Sequence, residues 1–421
     1  MGLSSAVDER FQTGWLVIAL VAVSATRLRL GWAPVGIGEA LLLAWLVYVA
    51  RDIRVALGDA RSLQAIVAWF WMALAAFMTL GAFWARTHDV ASPGAGRDAI
   101  AFVFAALFSV MAAGAMGRSV STMQASRWMV ALISVYLGAL AIVHLVKPDA
   151  VTVPSEYGYR LVGLTQNPNQ LALYLAPFPF LVIFLITRSR TLAGRVLLLG
   201  ALGLGILASR AIASDALEVA WIVGVAALVL GARMLPGEEQ KLWRGTWVTV
   251  TAAIVISWSA SVLLNRFLEP DAQPEATKRW RPVERVLDPS AGKEFANNEW
   301  ERKQVRTRLR LWHSSVQVVS LSPIVGFGPG RHAGADGAFQ GDEAHNSFLD
   351  LATMAGVPGA VLLVWLFLAV GRPHRSMHDT QYAGCVILLT LAAYASFHLV
   401  IRQPVFWFYV LLAGALVRTE R

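Results

Sequence analysis

Arg160, Arg210, Arg310 and His345 stand on four separate stretches of the chain. A guanidinium suits bidentate contact with phosphate oxygens. An imidazole titrates near neutrality and can take a proton from an attacking hydroxyl. Taken singly, each of the four is explained by anchoring at a membrane interface. Gathered on one surface, they would form a site for a phosphorylated lipid headgroup.

Each of these residues has neighbours that widen the candidate set. The stretch SEYGYRLVGLTQNPNQLALYL (155–175) places Tyr157, Tyr159, Gln166, Asn167 and Asn169 beside Arg160 at the mouth of an apolar block. In NEWERKQVRTRLRLWHSSVQVVS (298–320), Arg302, Arg306, Arg310 and His313 recur at steps of four, four and three. That spacing puts them along one face of a helix capped by Asn298, with Val305, Leu309, Trp312 and Val316 as its apolar residues. A solvated face softened by Glu299 and Glu301 is the plain alternative. His345 opens EAHNSFLDLATMAGVPG (343–359), which leads straight into a membrane-length apolar run.

Other motifs carry less. DEAH at 342–345 spells a helicase box, but no phosphate-binding G-x-x-x-x-G-K-[ST] accompanies it, and GFGPG at 326–330 reads as a turn. Asp342, Glu343 and His345 are too close together on a loop to make a good metal site, so no metal and no cofactor is expected. Acidic residues in the apolar blocks are few: Glu39, Asp215, Glu218 and Asp350 are too scattered for a proton relay.

The elements that must position these residues are helices in lipid. Of 421 residues, 57% are apolar and 15% charged, and the apolar ones form twelve blocks, most near 20 residues long, between residues 12 and 417. About 20 apolar residues cross a hydrocarbon core. The expected fold is therefore an all-α polytopic membrane protein with about twelve transmembrane helices. The first block precedes AVSATR, which resembles a cleavage site, but it is read as a helix rather than a leader. Blocks seven and eight meet at the SRA of 209–211, where Arg210 marks a turn at an interface. Cys385 stands alone, which excludes an internal disulfide.

The net charge of +9 is spread over many short loops, which points to membrane orientation and away from nucleic acid. With the N-terminus in the cytoplasm, 16 basic residues fall at cytoplasmic ends and 8 in short outer loops. Both termini then face the cytoplasm. Residues 1–264 carry helices one to nine, 265–346 form one large, partly helical outer loop with an amphipathic helix at 298–320, and 347–421 carry helices ten to twelve. His345 faces outward. The helix at 298–320 could gate a lipid-filled cleft. Gly356 and Gly359, three apart on one helix face, would let a neighbouring helix or a lipid chain come close.

His345-Asn346, with Gly356 and Gly359 at their spacing, resembles the signature of bacterial O-antigen ligases. LWHSSVQVVSLSPIVGFGPG (311–330) looks like the corresponding region of the O-antigen ligase and polymerase superfamily. The layout of about twelve helices with a large loop before the tenth agrees. This resemblance implies a glycosyltransferase class C-like fold in the bacterial inner membrane, with the site facing the periplasm. It implies transfer of a glycan from undecaprenyl diphosphate to a sugar of the lipid A core, in lipopolysaccharide biosynthesis. By position, Arg160, Arg210 and Arg310 would bind the diphosphate and His345 would serve the acceptor hydroxyl. Arg306, Gln166 and Asn167 join the diphosphate set from the residue patterns, and His313 joins the catalytic set from the helical stripe. An inverting, metal-independent reaction is expected. A polymerase of the same superfamily is the alternative, and a secondary transporter is a more distant one, since no internal repeat is evident.

Overall fold

A computed structural model describes residues 2–23, 25, 36–51, 62–90, 94–116, 118–147, 150–155, 158–165, 167–231, 299–332, 343–372 and 378–418. The apolar block at 246–264, the proposed boundary at 264 and the first half of the long loop lie outside the described residues. The other eleven blocks coincide with helical backbone.

In chain order the helices are α1 (Gly2–Val23), α2 (Ile37–Val49), α3 (Leu63–Thr87), α4 (Ala95–Ala115) and α5 (Thr122–Val146). A short antiparallel hairpin follows, β1 (Thr152–Ser155) with β2 (Gly158–Leu161), in which Arg160 lies opposite Val153. Then come α6 (Pro168–Leu175), α7 (Phe178–Arg188), α8 (Leu192–Ile212), α9 (Asp215–Gly231), α10 (Glu299–Leu321), α11 (Ser347–Val370), α12 (Asp379–Ala395) and α13 (Pro404–Arg418). With α6 and α7 counted as one span, six helices among the described residues are long and apolar enough to cross a membrane. Apolar side chains such as Ile100, Val103 and Leu107 point outward along α4 at helical spacing. Water would penalise that stripe, whereas lipid accepts it.

Contacts sort the helix ends into two sets. At one end, Arg188, the last residue of α7, pairs with Asp379, the first of α12, at 2.7 Å. Arg418 at the end of α13 donates there to the carbonyl of Val370 at the end of α11, at 2.8 Å. At the other end, Asn169 in the first turn of α6 accepts from Ser214 just before α9, and its carbonyl accepts from Tyr394 in the last turn of α12. The candidate site residues lie at this second end. The turn between α8 and α9 falls at Ala213, which adopts the left-handed conformation, and Ser214. The expected break at 209–211 is therefore displaced, and Arg210 stands in the last turn of α8.

Prolines break two helices in the bundle, and other segments repair both. Pro179 has no N–H for the carbonyl of Leu175, which instead accepts from the indole of Trp221 in α9 at 3.0 Å. Pro358 has none for Met354, whose carbonyl accepts from the N–H of Gly328 at 2.8 Å. Thr353 likewise accepts from Phe327, and the freed N–H of Val357 donates to Pro323. The GFGPG segment is a turn, as read from the sequence, and it substitutes for the missing part of α11. At the break Gly356 takes φ 69° and ψ −178°, a region that essentially only glycine occupies. Gly356 and Gly359 therefore do not share one continuous helix face. The sequence spacing assumed a helix that Pro358 interrupts.

Candidate active site

The site is organised around His398, which lies in the turn between α12 and α13 and is 8% exposed. Its ring lies 5.1 Å from that of Tyr394 and 6.3 Å from that of His345. Burial drives the His398 imidazole down to a pKa of about 3, and the nearby basic groups His345, Arg308 and Arg160 push the same way. Basic groups from the hairpin, from α10 and from the residues before α11 thus converge on one neutral ring. The ring's Nε2 is buried and has no hydrogen-bond partner among the described residues. Sequence reasoning missed His398, because no motif surrounds it and its partners are remote in the chain.

On α10 the structure turns the helix relative to the sequence reading. Leu311, Ser314, Ser315 and Val318 face the protein, at steps of three, one and three, whereas Leu309 and Val316 are each 56% exposed. Trp312 does dock, with its indole donating to the carbonyl of Ala344 at 3.1 Å and its ring lying 6.3 Å from that of Phe397. Arg310 and His313 are exposed, and His313 shares a hydrogen bond only 3.0 Å long with Gln317 of the same helix. Two residues along a helix is about 200° around it, so half-buried Arg308 lies on the other side of α10 from exposed Arg310, and its charge is among those acting on His398. Arg308 also lies 4.0 Å from Asp215 at the start of α9. The side chains of Arg302 and Arg306 lie outside the described residues. The phase was misread because the apolar residues of α10 were assumed to face protein.

The hairpin ties Arg160 to the end of α8. Arg160 donates to the carbonyls of Ile212 at 3.1 Å and of Ala213, closing the end of the helix that carries Arg210. Asn167 caps α6, its side chain accepting from the N–H of Asn169 at 2.9 Å. Its geometry is accounted for by that role. Gln166 and Tyr157 lie outside the described residues.

His345 itself sits at φ 52°, an uncommon conformation for a residue with a side chain. Asp350, one turn into α11, accepts from the N–H of Ala344 at 2.9 Å and of Asn346 at 3.2 Å, the two neighbours of His345. Asn346 caps α11 by accepting from Phe348 and Leu349. Behind Asp350 lies a buried charged group. His332 approaches Asp350 at 3.3 Å through Nδ1 and Asp98 at 2.9 Å through Nε2. Arg402 pairs with Asp98 at 2.5 Å and with Glu343. Burial alone would lower the His332 pKa, but hydrogen bonds to Asp350 and Asp98, with the charges of Asp350 and Glu343, raise it to about 9. Asp350 is therefore not the isolated acid that the sequence suggested.

No curated protein matches the chain significantly. A family model described as O-antigen ligase matches residues 172–364, a span that begins inside α6, ends inside α11 and holds Arg210, Arg308 and His345. Over that span, just under half of its length, the chain is similar to the O-antigen ligase family.

Proposed function

We propose that the chain is an O-antigen ligase of the bacterial inner membrane. It moves a glycan from undecaprenyl diphosphate to a sugar of the lipid A core, with the His398 end of the bundle facing the periplasm and both termini in the cytoplasm. The observation that carries the reading is the convergence of Arg160, Arg308 and His345 on His398. Fixed cations gathered at one end of the bundle suit a doubly charged leaving group better than a neutral ligand.

The acceptor hydroxyl oxygen attacks the anomeric carbon while the bond from that carbon to the diphosphate oxygen breaks. Attack from the side opposite the leaving group inverts the centre. The electron pair leaves with the diphosphate, where Arg160, Arg210 and Arg308 offset the growing charge. The hydroxyl proton passes to His345. Charge-assisted hydrogen bonds contribute about 1.5–3 kcal/mol each. Two of them that strengthen in the transition state give about 10²- to 10⁴-fold. In this assignment Arg308 takes the place that the sequence reading gave to Arg310, supported by the action of its charge on His398.

The test is transfer by purified protein in lipid nanodiscs supplied with undecaprenyl-diphosphate-linked O-antigen and lipid A core. The expected product carries lipid A, and transfer continues in a strong chelator. A lengthened glycan still attached to undecaprenol would replace the ligase reading by that of a polymerase. Loss on chelation, with rescue by a divalent cation, would overturn the metal-independent chemistry.

A further inference from the structure

His345 adopts a backbone conformation that is strained in a residue with a side chain and persists only where the surroundings over-determine it. What over-determines it is the carboxylate of Asp350, one oxygen for the N–H before His345 and the other for the N–H after it. The same loop is stitched to the site on its far side. The hydroxyl of Ser347 donates to the carbonyl of His398 at 2.5 Å and accepts from the N–H of Val400 at 3.1 Å.

Asp350 is held in turn by His332, which spans it and Asp98. A ring with both protons donates to each carboxylate. A ring with one proton would turn a lone pair toward a carboxylate oxygen, and the contact would become repulsive. The charged groups around His332 are Asp98 and Arg97 on α4, Asp350 on α11, Glu343 on its own loop, and Arg402 before α13. Its neighbour Arg331 turns away, donating to the carbonyls of Val90 and Phe327.

We propose that Asp350 and His332 are positioning residues for His345, and that the loop presenting its ring is set only while His332 carries both protons. The proposal rests on the reading of His345 as the group that meets the acceptor hydroxyl.

The experiment compares wild type, Asp350→Asn and His332→Gln as full-length protein in nanodiscs, with undecaprenyl-diphosphate-linked O-antigen and lipid A core as probes. Hydrogen exchange at pD 7 reads the amides of Ala344 and Asn346 directly. Exchange there is expected to rise at least tenfold in both variants. Transfer is expected to lose at least tenfold in kcat while KM for the donor stays within threefold. Wild-type kcat should fall as pH rises through about 9, and His332→Gln should lack that step. Unchanged exchange, or a raised KM with kcat retained, would overturn the positioning role. If Asp350→Asn fails to fold, His332→Gln decides, because it removes neither backbone acceptor. Retained transfer in His345→Ala would defeat the role given to His345 in the transfer, and the exchange result would still judge the loop.

Discussion

Arg308 and Arg310 stand two residues apart on α10, Arg308 half-buried with its charge acting on His398 and Arg310 exposed. Their substitutions should therefore separate. Arg308→Ala is expected to lower kcat/KM for glycan transfer by about 10- to 100-fold, the loss of one charge-assisted hydrogen bond. Arg310→Ala is expected to stay within threefold of wild type. Equal losses at both positions would place the donor on the other face of α10.

The buried ion group should make stability depend on pH with a definite sign. His332 is raised from the ordinary histidine range to about 9. Its contribution is therefore complete below about pH 6.5 and is lost as pH rises through about 9. Thermal unfolding in detergent, followed by tryptophan fluorescence, should show Tm falling over that interval. The His332→Gln variant should show a lower Tm at pH 6.5 and a flatter profile. A wild-type Tm that rises between pH 6.5 and 9 would contradict the assignment of charge to this ring.

Gly356→Ala tests the break in α11. The φ and ψ there exclude an ordinary side chain, and an added Cβ would press on the backbone of Ile324. A loss of about 1–3 kcal/mol or more is expected, readable as a lowered denaturation midpoint. A midpoint equal to wild type would mean that α11 straightens at no cost.

Trp221→Phe tests the repair of the other break. It keeps the ring and removes the N–H that serves the Leu175 carbonyl. Leaving that buried acceptor without a partner should cost about 1–3 kcal/mol. The effect should be seen in the unfolding midpoint with little change in transfer.

How much of this could be read from the sequence follows from what each feature depends on. The helices were legible because a run such as AVLLVWLFLAV is apolar whatever it touches. The outward phase of α10 was not, because hydrophobic periodicity marks contact with lipid as readily as contact with protein. Leu309 and Val316 are exposed, while Ser314 and Ser315 are buried. His345 announced itself by its neighbours Asn346, Gly356 and Gly359. The residues behind it could not, since Asp98 meets His332 across 234 positions and Arg402 across 304. Pairing at that range leaves no local pattern. Arg160 and Arg210 could be placed at one end of the bundle from the sequence because both adjoin block ends on the same side.

The borrowed N–H groups of Phe327 and Gly328 have a practical corollary for chimeras. A graft that exchanges the long loop between relatives and cuts after Ser322 would hand α11 a foreign patch for its gap. Carbonyls at Thr353 and Met354 would then lose the N–H groups they accept from. Exchanges that keep residues 322–330 with their own α11 respect the unit that folds together.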